Sequence, residues 1–199
     1  MAVFDVDGTI FRSSLLISLV NHLVRTGAFP KNAEGVYERA HTRWLDREGD
    51  YEEYIQAVIE AFQKHLKGIH YSVLADAAEE VVKGEYKRLY RFTRDLIADL
   101  KKRGYFLLAV SHSPKTILDK FCPRLGFDKV YGTLYEIGPR ECFTGEIVDA
   151  HLIHDPRWPL EIPPPVAGSK SPRGGRQECV DCYSESLVFA RRLAACFKR

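Results

Sequence analysis

Apolar residues in this chain follow two different patterns. Between residues 11 and 92 they recur mostly at intervals of three and four, which predicts successive amphipathic helices. We interpret the aromatic residues of this part, Trp44 among them, as helix packing. Three short runs are instead expected to be strands, and the first two of them are continuously apolar, as is typical of buried strands. These runs cover residues 2–4, 105–110 and 129–134.

Two further helices are expected between the strands. Thr93 is a candidate N-cap for a helix that stops at Gly104, and Ser113, followed by Pro114, is a candidate N-cap for the next. Residues 142–148 are expected to form a hairpin arm beside the third strand. Strands that alternate with helices indicate an α/β fold with a Rossmann-like parallel sheet.

Composition narrows the function classes. Apolar residues make up 45% of the 199 positions and the formal net charge is +2, so a sizeable core is expected and a nucleic-acid partner is not. We expect no membrane span and no signal peptide. Five cysteines, an odd number, fit free thiols, which places the protein in the cytoplasm. The lone pair Cys179 and Cys182 is interpreted as ordinary thiols, and nothing indicates the oligomeric state.

Two carboxylates follow the first strand directly. Asp5 and Asp7 are two residues apart, so they project from the same face of the strand end. Carboxylates this close repel each other unless a cation lies between them, and Gly8 allows a ligand to approach the backbone. The alternative is an Asp-Gly hairpin turn, which we disfavour because a long helical stretch follows instead of a partner strand. The pattern therefore predicts a ligand site at this sheet edge.

The second strand also ends in polar residues. Ser111, His112 and Ser113 come directly after residues 105–110 and precede a helix. A hydroxyl and free N–H groups at a helix start are suited to binding phosphate. We assign this role to Ser111 and to the His112 N–H, and we interpret Ser113 as a helix cap only.

These segments resemble the haloacid dehalogenase-like superfamily, and within it the phosphoserine phosphatase-like subfamily. The resemblance rests on DVDGT at residues 5–9, LLAVSHSPKTILDKFCPRLGF at 107–127 and FTGEI at 143–147. It implies a parallel α/β core formed by residues 1–11 and 93–199. It also implies an inserted all-helical cap, of the type called C1, formed by residues 12–92.

The same resemblance implies roles for the site residues. Asp5 would be the nucleophile that becomes an aspartyl-phosphate, and Asp7 the general acid/base. Both would help to hold Mg²⁺, while Ser111 would contact the transferred phosphoryl group. A metal that neutralises phosphate charge makes a carboxylate nucleophile feasible.

The resemblance weakens after residue 155. The family places a lysine here that offsets phosphoryl charge, but this chain continues with Pro156 and a proline-rich stretch. Lys170 is the only lysine between Lys129 and Lys198. It either supplies this charge, as a third phosphate-binding residue, or is a solvated loop lysine, which is the reading we favour.

The last acidic motif of the family is also imperfect. Asp181 is the nearest candidate for the third metal ligand, with Glu185 at an acceptable spacing, although the residues before it make a poor buried strand. Residues 156–199 are either a diverged end of the core or a disrupted reading frame. We expect residues 156–175 to be irregular, with a short helix within residues 184–195.

Three functions remain open. The first is a Mg²⁺-dependent phosphatase acting on a small phosphorylated metabolite. The second is a catalytically impaired protein of the same fold that binds a phosphorylated ligand without turnover. The third is phosphoryl transfer to an acceptor other than water. Arg12 and Arg43 are candidates for binding a substrate carboxylate, although each is more simply a surface arginine.

Overall fold

The computed structural model describes residues 1–149. Lys170, Asp181 and the cysteine pair at 179 and 182 lie outside the described residues, as do the predictions for residues 156–199.

A four-stranded mixed sheet forms the base of the described fold. Its strands lie in chain order, β1 to β4, with β1, β2 and β3 parallel and β4 antiparallel to β3. Phe4 of β1 lies beside Ala109 of β2, and Val110 beside Tyr131 of β3. This register brings the carboxyl ends of β1 and β2 together. The strands are Ala2–Asp5 (β1), Leu107–Pro114 (β2), Lys129–Ile137 (β3) and Phe143–Asp149 (β4).

Six α-helices accompany the sheet, and five of them lie between β1 and β2 in the chain. The first presents apolar side chains at the predicted three- and four-residue intervals, and they are buried because this face packs against its neighbours. The helices are Leu15–Arg25 (α1), Glu34–Leu45 (α2), Tyr51–Leu66 (α3), Tyr71–Glu85 (α4), Arg91–Lys102 (α5) and Lys115–Phe121 (α6).

One hydrophobic core joins the sheet to the helices. Phe11, which follows β1, packs edge-on against Phe121 of α6 with ring centroids 5.7 Å apart. Phe4 packs in the same way against Phe127 at 5.8 Å. Because the residues around Asp5 and Asp7 belong to this core, the core holds the site loop in place. The predicted α/β fold class with a Rossmann-like core is confirmed.

One local prediction is wrong. α5 begins two residues before Thr93 and has Tyr90 as its N-cap, and the Thr93 hydroxyl donates to the Thr9 carbonyl instead, at 2.9 Å. The interpretation of Trp44 as helix packing agrees with the structure, since Trp44 at the end of α2 stacks on Tyr54 of α3, although 37% of its surface remains exposed.

Candidate active site

The loop after β1 is folded around a single carbonyl group. The Val6 oxygen accepts hydrogen bonds from the N–H groups of Thr9, Ile10 and Phe11. Gly8 donates back to the Phe11 and Ser13 carbonyls and has a φ of +76°, which strongly favours glycine. Buried side chains on both sides of the turn fix it to the core. The backbone therefore determines where Asp5 and Asp7 lie.

Asp7 accepts three hydrogen bonds from two different elements. Its Oδ2 accepts from the Ser111 hydroxyl at 2.6 Å and from the Ser113 hydroxyl at 2.8 Å. Its Oδ1 accepts from the Leu15 N–H at 2.6 Å, at the start of α1. Both the hydrogen bond and the positive end of the α1 dipole favour negative charge at this position.

Asp5 is held more loosely. The Thr9 hydroxyl donates to its Oδ2 at 2.8 Å, and the side chain remains partly exposed. Asp5 therefore combines a fixed orientation with access to solvent, as a nucleophile requires.

Both carboxyl groups have a raised pKa. Burial is the largest cause for Asp5 and the charge of Asp7 adds to it, so that its pKa lies at about 6 despite the Thr9 hydrogen bond. Burial also raises the pKa of Asp7, although Ser111, Leu15 and Ser113 lower it in part. A raised pKa allows a carboxyl group to carry a proton nearer neutral pH, as a general acid must.

Ser113 is not a helix cap, and this interpretation is corrected by the structure. β2 continues to Pro114, and α6 begins at Lys115 without a side-chain cap. The Ser113 hydroxyl donates to Asp7, while its N–H donates to Ser111 Oγ at 2.9 Å. Ser113 is therefore a site residue that the sequence pattern did not reveal, because the Ser-Pro pair is typical of a helix start.

The two serines lie on the same face of β2. Ser111 and Ser113 are two residues apart, so a strand directs both side chains to one side, and both are buried while His112 between them is exposed. The strand is irregular at this point, since Val110 pairs with Tyr131 and Pro114 with Thr133, so that three residues of β2 lie opposite Gly132 alone.

The remaining predicted residues lie as follows. The side chain of His112 is exposed, and its carbonyl accepts from the Thr133 hydroxyl at 2.7 Å. Arg12 is exposed beside the Tyr90 ring, at 5.9 Å from its centroid. Arg43 pairs with Glu53 on the surface at 2.5 Å. Within the described residues neither arginine is hydrogen-bonded or ion-paired to Asp5 or Asp7, and both have the surface contacts of the simpler interpretation.

The carboxylate pair fits a hard cation. Carboxylate oxygens are ligands that Mg²⁺ prefers, and a cation would offset the burial and repulsion that raise both pKa values. The Asp7 oxygens already accept three hydrogen bonds, which leaves Asp5 with more free acceptor capacity. Residues 1–149 contain no group of three or more His, Cys, Asp or Glu that could hold a metal.

The site geometry agrees with a family comparison. The model of the haloacid dehalogenase-like hydrolases matches residues 2–157. The chain belongs to this family. The match includes Asp5, Asp7, Ser111 and Ser113, and it ends before Lys170 and Asp181. No curated protein matches the chain. None of the helices within residues 1–149 has the length and apolar character that a membrane span requires.

Solved structures are similar in fold. A protein of unknown function from Bordetella pertussis Tohama I is 19% identical, with a TM-score of 0.56 over 74% of this chain and 65% of that one. A phosphoserine phosphatase from T. onnurineus is 18% identical, with a TM-score of 0.45 and coverages of 73% and 62%. A phosphoserine phosphohydrolase-like protein from Francisella tularensis subsp. tularensis SCHU S4 is 17% identical, with a TM-score of 0.44 and coverages of 75% and 66%. This chain therefore spans less than two thirds of the length of each of these three proteins.

Proposed function

We propose that this protein is a Mg²⁺-dependent phosphomonoester hydrolase that acts on a small phosphorylated metabolite through an aspartyl-phosphate intermediate. The proposal rests on one observation above all. Asp5 and Asp7, at the end of β1, lie beside Ser111 and Ser113 from the end of β2, and both serine hydroxyls donate to Asp7. Two carboxylates and a hydroxyl at one point suit phosphoryl transfer.

Asp5 is assigned the nucleophilic role because its carboxylate accepts one side-chain hydrogen bond, whereas Asp7 accepts three, so Asp5 has more free acceptor capacity. Its oxygen forms a bond to phosphorus while the bond from phosphorus to the ester oxygen breaks. In the second half-reaction, water attacks phosphorus, phosphate leaves, and the Asp5 carboxylate is restored.

Asp7 is assigned the proton transfers. Its raised pKa allows it to carry the proton that the departing ester oxygen takes up to become an alcohol. The resulting carboxylate then takes a proton from the attacking water. The Leu15 N–H and the two serine hydroxyls stabilise this charged form, so the group can alternate between both states.

Asp5 and Asp7 would hold the Mg²⁺, which supplies positive charge against the phosphoryl oxygens. Ser111 would donate to a phosphoryl oxygen once substrate is bound, and the His112 N–H would be a second donor. A cytoplasmic location remains part of the proposal, since Cys122 and Cys142 are both free thiols.

The first test is the substitution Asp5→Asn. It keeps the size of the side chain but removes the nucleophile, so Mg²⁺-dependent hydrolysis of a generic aryl phosphate should be lost. Asp99→Asn is the matched control, because Asp99 lies on exposed α5 and pairs only with its helix neighbour Arg103. Full activity in Asp5→Asn would exclude the proposed mechanism.

A second candidate is binding without turnover. It is favoured by the family match ending at residue 157, before Lys170 and Asp181. Calorimetry with Mg²⁺ alone, on the parent protein and on Asp181→Ala, separates the two candidates. Absence of Mg²⁺ binding in the parent would favour the second, whereas binding that weakens in the variant would support the working enzyme.

A further inference from the structure

An open cleft of about 1150 Å³ adjoins the carboxylate loop. It lies between α1, the end of α4 and the α2–α3 hairpin, and Ser13 lines it at one end. The Ser13 carbonyl accepts a hydrogen bond from Gly8, at 3.1 Å, so this end of the cleft belongs to the loop that carries Asp7. This adjacency makes the cleft the candidate site for the leaving group of a phosphoryl group bound at the carboxylates.

Three aromatic rings form one wall of the cleft, and we name Trp44, Tyr51 and Tyr54 the aromatic corner. Trp44 stacks on the buried Tyr54, with centroids 5.7 Å apart and ring planes 16° apart. The Tyr51 ring packs edge-on against the Trp44 ring, with centroids 5.6 Å apart and ring planes 65° apart. The two outer rings remain 37% and 42% exposed. The corner is thus ordered by ring packing and keeps two apolar faces open.

The aromatic corner lies close to the carboxylate pair as well as to the cleft. Burial is the largest cause of the raised pKa of Tyr51, and the negative charges of Asp7 and Asp5 contribute to it. Tyr51 therefore lies within the electrostatic reach of both carboxylates, and its ring also contacts Trp44.

We propose that the aromatic corner is the leaving-group subsite of the phosphatase, and that the preferred substrates are phosphomonoesters whose alcohol carries a flat aromatic ring. This inference rests on the proposed function. A planar ring can lie against one exposed face while its edge meets the other, as aromatic pairs prefer. A small polar alcohol would leave both faces uncovered.

The charge of the remaining cleft argues against a cationic leaving group. Two exposed faces make an open corner and not the enclosing cage that a quaternary ammonium group needs. The cationic side chains along the cleft also outnumber the acidic ones, four to three. They are Arg25, Lys31, Lys83 and Arg88, against Glu34, Glu80 and Glu85.

The test compares 2-phenylethyl phosphate with ethyl phosphate, which are both primary alkyl esters and differ by the ring. The parent should show a kcat/KM ratio of roughly ten or more in favour of the ring, the size expected of an aromatic contact. Trp44→Ala and Tyr51→Ala should each bring this ratio toward one. Tyr71→Ala is the matched control, because Tyr71 is 41% exposed but contacts Phe143 outside the cleft, and it should leave the ratio unchanged.

Binding without turnover separates this inference from the proposed function. The chain has two tryptophans, so in a Trp158→Phe background Trp44 is the only tryptophan reporter. Its fluorescence should respond to 2-phenylethylphosphonate at lower concentration than to ethylphosphonate. Such a response in a protein that hydrolyses no ester would support the subsite and overturn the function.

Several outcomes would overturn the subsite while the function stands. These are a parent kcat/KM ratio near one, or a preference for choline phosphate or phosphoserine over the phenylethyl ester. A further comparison uses two ring-bearing substrates, a nucleoside monophosphate and the phenylethyl ester. It identifies whether the preferred ring is a nucleobase or a simple aryl group, and a preference for either supports the subsite.

Discussion

Gly132 should be essential because it gives space to the irregular part of β2. A Cβ atom at this position would lie 2.9 Å from the Ser113 carbonyl oxygen and 3.1 Å from the Lys115 Cα, and it would also overlap Leu118. Two of these three neighbours are backbone atoms, so no simple side-chain rotation can remove the overlap. Gly132→Ala must therefore push β2 away from β3 at the point where Ser111 and Ser113 turn toward Asp7.

The expected loss has two parts. Insertion of one methyl group into packed structure costs about 1–3 kcal/mol of the free energy of unfolding. Displacement of the serines should lower kcat/KM by roughly 10- to 100-fold, because errors near 1 Å in a reacting arrangement have effects of this order. Chemical denaturation and phosphatase kinetics on the same preparation measure both parts.

Gly35→Ala is the matched control. Gly35 lies in α2 with no positive φ, and a Cβ atom there meets nothing within 4 Å. This substitution should stabilise the fold by about 0.4–1 kcal/mol and leave activity unchanged. If Gly132→Ala were as stable and as active as the parent, the argument for a crowded β2–β3 contact would be wrong.

Two more predictions concern the carboxylates. Ser113→Ala removes one donor to Asp7, so it should raise the pKa of Asp7 in the pH–rate profile and lower the rate roughly 10-fold, within the range for hydrogen bonds to charged groups. Without metal, the free energy of unfolding should fall as pH rises from 3.8 to about 6, by up to roughly 3 kcal/mol, because the folded state holds the Asp5 proton more tightly. Asp5→Asn should reduce this slope in denaturation curves but not abolish it, because the pKa of Asp7 is also raised, and Mg²⁺ should reduce it as well. Asp128→Asn should leave it, because hydrogen bonds from the Leu107 N–H and from Lys101 outweigh burial and lower the pKa of Asp128.

The sequence pattern predicted those helices and strands whose formation depends mainly on residues close together in the chain. The three- and four-residue intervals predicted the helices, and the apolar runs predicted the first three strands, because periodicity and burial are properties of neighbouring residues. β3 nevertheless extends to Ile137, three residues beyond the predicted end. Its added length pairs with β4, and such pairing is not encoded within the strand itself.

The site was predictable only where it follows strand ends. Asp5, Asp7 and Ser111 each come at or just beyond an apolar strand run, which places them at one sheet edge. The role of Ser113 depends on β2 continuing to Pro114, which pairs with Thr133 of β3, a contact between distant segments. The helix period predicts on which face of α2 Trp44 lies, and therefore that it packs. It does not predict that the residues around Trp44 leave part of this side chain exposed.

Covalent labelling of the nucleophile tests the proposed chemistry. Asp7→Asn should accept a phosphoryl group from acetyl phosphate, whose leaving group needs little protonation, but should hydrolyse the product slowly because the base that activates water is missing. After incubation with Mg²⁺ and an acid quench, mass spectrometry should find one added phosphoryl group on the peptide that contains Asp5. The label should be absent from the Asp5→Asn/Asp7→Asn double variant. No label, or a label on Ser111 or Ser113, would contradict the assignment of Asp5 as the nucleophile.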